Sequence, residues 1–174
     1  MKKLRLIAMF ALTFALVFGA ASCKNEEEEG PWGESLAEVL KNEPKLDLSG
    51  TWKAFEAELE MDVDGEKSRD FAEAMMYKTM IENLPLEEKI DYFCGYMVPT
   101  PKEVLSTKNE FAEQLVAFEA YYSKKDKENN IAVMINSDRN EIRIECSAIH
   151  KGKDENKKDL ISEINGFATY AKQK

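Results

Sequence analysis

Between residues 55 and 63 the chain alternates without a break. Phe55, Ala57, Leu59, Met61 and Val63 are apolar, and Glu56, Glu58, Glu60 and Asp62 stand between them. A period of two predicts a half-buried strand with an acidic face toward water, against the helical preference of Glu and Ala. Elsewhere the period is mostly helical. Residues 35–42 predict a short helix that closes before Pro44. In 68–84, Phe71, Met75, Met80 and Leu84 fall at helical spacing and Pro85 ends the segment. A second helix is expected from Leu86 to just before Gly95, followed by a rigid Val98-Pro99-Thr100-Pro101 connector. A longer helix is expected over 102–122, with Phe111, Leu115, Phe118 and Tyr122 on one stripe, and then a charged loop over 123–130.

Residues 131–136 and 141–149 read as two strands joined by a Ser137-Asp138-Arg139-Asn140 turn, with Ile142, Ile144, Cys146 and Ala148 inward. The final segment, 155–172, predicts an amphipathic helix on Leu160, Ile161, Ile164, Phe167, Ala168 and Ala171. Gly166 inside it would cost about 1 kcal/mol relative to alanine. These elements make one α+β domain over 34–174: a small antiparallel sheet packed on one face by helices.

The first thirty residues follow a different logic. Lys2, Lys3 and Arg5 precede a thirteen-residue apolar or small stretch from Leu6 to Phe18, and small residues follow to Ser22. That layout predicts a secretory signal over 1–22, too short to cross a hydrocarbon core comfortably. Ala20-Ala21-Ser22-Cys23 resembles the lipobox of bacterial lipoproteins, with Ala20 where that family usually has leucine. The resemblance covers residues 1–23 and implies that Cys23 becomes the acylated amino terminus of a protein held to the membrane by its acyl chains. Glu26, Glu27, Glu28 and Glu29 follow almost at once. Their mutual repulsion favours an extended, solvated tether over 23–33, roughly 35 Å long at full stretch. The acidic run also resembles the export signal of surface-exposed lipoproteins in some Gram-negative lineages. It implies an outer-membrane location and the outer face, although a plain spacer would look the same.

Charge narrows the partners. Three of the 24 basic residues and none of the 33 acidic ones lie before Cys23, which leaves 21 against 33 and a net charge of −12. Nucleic acid is therefore not an expected partner, because phosphate binding needs a basic face. A basic protein partner is.

Candidate chemistry is thin. Asp62-Val63-Asp64-Gly65 suggests a calcium loop, but aligning Gly65 with the required sixth position puts Glu60 first and Phe71 twelfth, where a bidentate carboxylate must stand. A tight turn explains it better, so no metal or cofactor is expected. His150 is the only histidine, and Ser147 on the same strand points to the opposite face, so no catalytic residue is assigned. Glu56, Glu58 and Glu60 form a carboxylate row that reads first as solvated surface. Met75, Met76, Tyr77 and Met80 crowd one helix and are expected in the core. Cys94 and Cys146 form a candidate disulfide in an exported chain, and closing that loop would contribute roughly 4 kcal/mol. Gly50-Thr51-Trp52 resembles the G-x-W opening of lipocalins, on those residues alone, and implies a carrier of a small apolar ligand. The leading expectation is a lipid-anchored, non-catalytic binding or interaction domain of the cell envelope. The alternatives are that carrier and an envelope enzyme built on carboxylates.

Overall fold

The structure, a computed structural model, describes residues 32–125 and 129–174. The expected signal, Cys23 and nearly all of the expected tether lie outside the described residues. Residues Gly33–Lys174 form one compact unit with its own core.

In chain order the elements are β1 (Glu34–Ser35), α1 (Leu36–Asn42), β2 (Gly50–Gly65), α2 (Arg69–Glu82), α3 (Leu86–Tyr92), a π-helical turn (Phe93–Met97), β3 (Glu103–Ser106), α4 (Glu110–Lys125), β4 (Asn129–Ile135), β5 (Glu141–Lys153) and β6 (Asp159–Lys172). The six strands form one antiparallel sheet in the order β1-β4-β5-β6-β2-β3. The fold is α+β. The outer strands β1 and β3 do not meet, so the sheet stays open and is not the eight-stranded barrel of a lipocalin. Trp52 is nonetheless a core anchor, fully buried with its indole N–H donating to the Leu48 carbonyl at 2.9 Å.

Register explains which face is packed. Ala57, Ala168, Ile144 and Val133 are cross-strand neighbours in one row, and Leu59, Gly166, Cys146 and Ile131 make the next. Their side chains form one core with Leu36, Ile81, Ile90, Phe93, Phe111 and Leu115 of the helical segments. The helices therefore cover this face. The other face presents Glu56, Glu58, Glu60 and Asp62 to water, and in its middle Arg143 lies 3.4 Å over the Phe167 ring and 3.0 Å from Glu145.

Four expectations about the strands, helices and cysteines need correction. Phe55 is 45% exposed, whereas Ala54 is buried. Ala54 pairs with Tyr170 and Glu56 with Thr169, so Phe55 is the extra residue of a β-bulge. The bulge switches the inward set from Trp52 and Ala54 to Ala57, Leu59 and Met61.

The expected C-terminal helix is the strand β6. Its stripe of Leu160, Ile161, Ile164 and Phe167 fits a helix as well as a strand, and the sheet decides, because β6 pairs along nearly its whole length with both β2 and β5. Gly166 belongs to a strand here. A Cβ on it would sit 2.8 Å from Leu59 Cδ2 and 2.9 Å from the Glu58 carbonyl oxygen. The expected helix start is instead a hairpin loop. Asp154 Oδ1 accepts from the N–H groups of Asn156 and Lys158 at 2.9 and 2.8 Å, and Lys157 takes a left-handed φ of 63°.

The expected long helix divides into β3 and α4. Between them, Ser106 Oγ accepts from the Phe111 N–H at 3.0 Å. Asn109 ties in the loop before β2, accepting from Leu48 N–H at 2.7 Å and donating to Leu46 O at 2.8 Å.

The fourth correction concerns the cysteines. Cys94 and Cys146 are free, buried thiols, and the candidate disulfide is not formed. Cys94 faces the Tyr170 hydroxyl, while Cys146 lies opposite Gly166, four residues away along β6.

Candidate functional site

Strand β3 pairs with β2 only from Gly50 to Lys53, so further along the outer backbone of β2 needs other partners. Helix α2 supplies them. Ser68 caps its start, with Oγ accepting from the Phe71 N–H at 3.1 Å. Near its end the Glu82 carboxylate accepts the Met61 N–H at 3.2 Å, and the Lys78 ammonium donates to both the Met61 carbonyl and Glu82. These ionic hydrogen bonds hold the Glu82 carboxyl below its ordinary range despite the opposing effect of burial, the larger single influence. The opposite margin of the sheet uses the same device: Glu119 of α4 accepts the Val133 N–H at 3.1 Å on β4.

Turning Lys78 and Glu82 toward the sheet turns the methionines away from it. The core expectation for Met75, Met76, Tyr77 and Met80 is therefore overturned: Ile81 is buried, whereas Met76 is 73% and Met80 51% exposed, and Met75 and Tyr77 are also exposed. The Tyr77 hydroxyl lies 2.9 Å from that of Tyr92, and the Tyr92 ring lies 5.3 Å from the Tyr96 ring. Tyr96, placed outward by the π-helical turn, is 80% exposed. Burial, then Tyr77, pushes the Tyr92 phenol far above its ordinary range, so Tyr92 stays a neutral hydrogen-bonding and stacking group. The result is a group of exposed methionine and tyrosine side chains on α2 and the π turn, with half-buried Tyr92 of α3 linking Tyr77 to Tyr96. Sequence reasoning counted every methionine in a helical stripe as inward. The informative signal was the polar pair Lys78 and Glu82 at i, i+4 beside Ile81.

A second apolar feature is an open groove of about 440 Å³ between the Pro99–Pro101 connector and α4, lined by Pro99, Pro101, Phe111, Leu115, Phe118 and Tyr121. Beneath it the Tyr170 hydroxyl lies 2.8 Å from Thr100 Oγ1 and 3.1 Å from Cys94 Sγ, and 3.2 Å from the Pro101 carbonyl. Burial raises the Cys94 thiol pKa, and burial pushes Cys146 up to about 11. Burial thus disfavours the reactive thiolate form of both cysteines.

The other sequence candidates do not converge. Glu56 accepts from Thr169 Oγ1 at 3.0 Å, and Glu58 pairs with Lys89 of α3. His150 is exposed on β5, and Ser147 donates to Glu163 at 3.0 Å. The tight turn expected at Asp64-Gly65 is not formed: Asp62 and Asp64 stay in β2 opposite Glu163 and Ile161, and Gly65 pairs with Leu160. Among the described residues no three His, Cys, Asp or Glu side chains are placed to hold a metal ion. One carboxylate pair does meet, Asp70 with Glu155, but it is exposed and caps α2: Glu155 accepts the N–H groups of Arg69 and Asp70 at 2.8 and 3.3 Å. Among the described residues no helix is long and apolar enough to cross a membrane.

Comparison of the chain with known protein families, with characterised proteins and with solved structures returned no match.

Proposed function

We propose that the chain is a lipid-anchored lipoprotein of the cell envelope, held in the outer membrane by acyl chains on Cys23, whose folded unit acts as a non-catalytic interaction domain. The observation that carries the interaction reading is the exposed methionine–tyrosine face of α2 and the π turn. Isolated apolar residues are ordinary on a surface, but contiguous ones mark contact sites. Methionine suits such a site because its unbranched thioether adapts to a partner at low cost. The anchor reading rests on residues 1–23 alone. The groove beside Pro99 supports a carrier of a small apolar ligand as a second reading, but it opens to solvent, whereas ligand sites bury most of what they hold.

Two experiments test the proposal. Cys23→Ala should release the protein from the membrane fraction or stall its processing, and unchanged size and detergent partitioning would overturn the anchor. Capture from envelope extract with the Gly33–Lys174 unit should lose its specific partner when Met76→Glu and Met80→Glu are combined. Capture of the same proteins by both forms would overturn the interaction reading.

A further inference from the structure

We propose that the outward face of α2 docks a basic amphipathic helix of a protein partner. This rests on the interaction-domain reading and adds the partner's chemistry and mode of contact.

The apolar centre is laid out for a helix. Met76 and Met80 are one turn apart on α2, Tyr77 lies beside them, and its hydroxyl joins Tyr92 and then Tyr96 on the neighbouring segment. Rows of side chains spaced i, i+4 are the ridges into which a second helix packs. Strand addition is the competing mode, and it needs free backbone. Behind this face the β2 backbone at Met61 is already satisfied by Lys78 and Glu82, so only side chains are presented to a partner.

The rim sets the sign of the partner's charge. From Ser68 to Met97 the chain carries Asp70, Glu73, Glu82, Glu87, Glu88 and Asp91 against Arg69, Lys78 and Lys89. Each of those three cations already sits on a carboxylate: Arg69 on Glu73, Lys78 on Glu82, and Lys89 on Glu58. Lys102, just beyond this segment, pairs with Asp91, so the acidic excess is left on Asp70, Glu87 and Glu88, of which Glu87 and Glu88 stand exposed in the first turn of α3. A helix with an apolar stripe flanked by lysine or arginine complements both the centre and the rim.

The test uses the Gly33–Lys174 unit and labelled synthetic peptides, read by fluorescence anisotropy at low and physiological salt. Three amphipathic helical peptides share one leucine–methionine stripe and carry lysine, glutamine or glutamate on the polar face. A fourth is basic with strand periodicity. The lysine helix should bind about tenfold or more tighter than the glutamine helix, an interval of about 1.4 kcal/mol, and should weaken as salt rises. The glutamate helix and the strand peptide should bind weakest. Met76→Ser with Met80→Ser should weaken the lysine helix about tenfold without moving the melting transition, since both side chains are exposed. Glu87→Gln with Glu88→Gln should shrink its advantage over the glutamine helix. Equal binding of the three helices, preference for the strand peptide, or indifference to the methionine substitutions would overturn the proposal. If the peptides fail while envelope capture still depends on Met76 and Met80, the partner chemistry is wrong and the interaction reading stands; if capture is also indifferent, both fall.

Discussion

Glu119 shows how one side chain holds the edge of a sheet at an electrostatic cost. It is held largely out of water against the Val133 N–H, and burial raises its carboxyl pKa while the hydrogen bond lowers it by less. A carboxyl whose folded pKa is raised favours the protonated form. Its contribution to stability is therefore greatest below the unfolded value and is lost as pH rises through the folded one. Glu119→Gln keeps an acceptor for Val133 and removes that charge cost, so it should match or exceed the wild type at neutral pH and flatten the acid side of the profile. Glu119→Ala leaves a buried N–H unsatisfied and should cost about 1–3 kcal/mol in urea melts. If the glutamine variant were as unstable as the alanine one, the carboxylate charge itself would be the stabilising element. Glu119 and Glu82 were illegible as edge caps beforehand. Each reads in the sequence as one more acidic residue on a helix, and the backbone groups they serve are brought near only by the folded sheet.

At the scale of elements, the strands with local signals were legible and the strand without them was not. The β4–β5 hairpin announces itself through two apolar runs and four turn-favouring residues, and β2 through its alternation. β6 does not, because a strand paired on both sides takes its conformation from neighbours distant in sequence. Gly166 gives a decisive test. In a helix Gly166→Ala would stabilise by about 1 kcal/mol. In β6 the new Cβ meets Leu59 and the Glu58 carbonyl within 3 Å, so the substitution should instead destabilise by about 1–3 kcal/mol. Thermal melting of this one variant reads the sign.

The hairpin that leads into β6 is coupled to α2 through Glu155, whose carboxyl is held down at about 2, first by the N–H of Arg69. A depressed folded pKa gives stability that is present above the ordinary carboxyl range and lost as pH falls toward 2. Asp70 shifts upward against the same partner and opposes this, so the pair titrates together. Hydrogen exchange at the Arg69 and Asp70 amides should rise in Glu155→Ala at neutral pH. Unchanged protection would show that Ser68 alone secures the helix start.

At the scale of the molecule, Gly33–Lys174 closes around one core. Trp52, Phe93, Phe111 and Tyr170 fill its centre, and Phe111 packs against both Trp52 and Tyr170 at 6.4 and 5.2 Å. The unit should therefore melt in one cooperative transition. Two additives separate this account from its rivals. A chelator would lower the melting temperature by many degrees if Asp62 and Asp64 held calcium, because a ligand that binds only the folded state adds to its stability. A reductant would do the same if Cys94 and Cys146 were bridged, since opening a loop of that length removes roughly 4 kcal/mol. With Asp62 and Asp64 paired into β2, and the two thiols buried against different residues of β6, neither additive should move the transition. A shift with the chelator alone would place a cation on the acidic face of the sheet. A shift with the reductant alone would mean that the oxidised protein repacks the π turn far enough to bring Cys94 to β5.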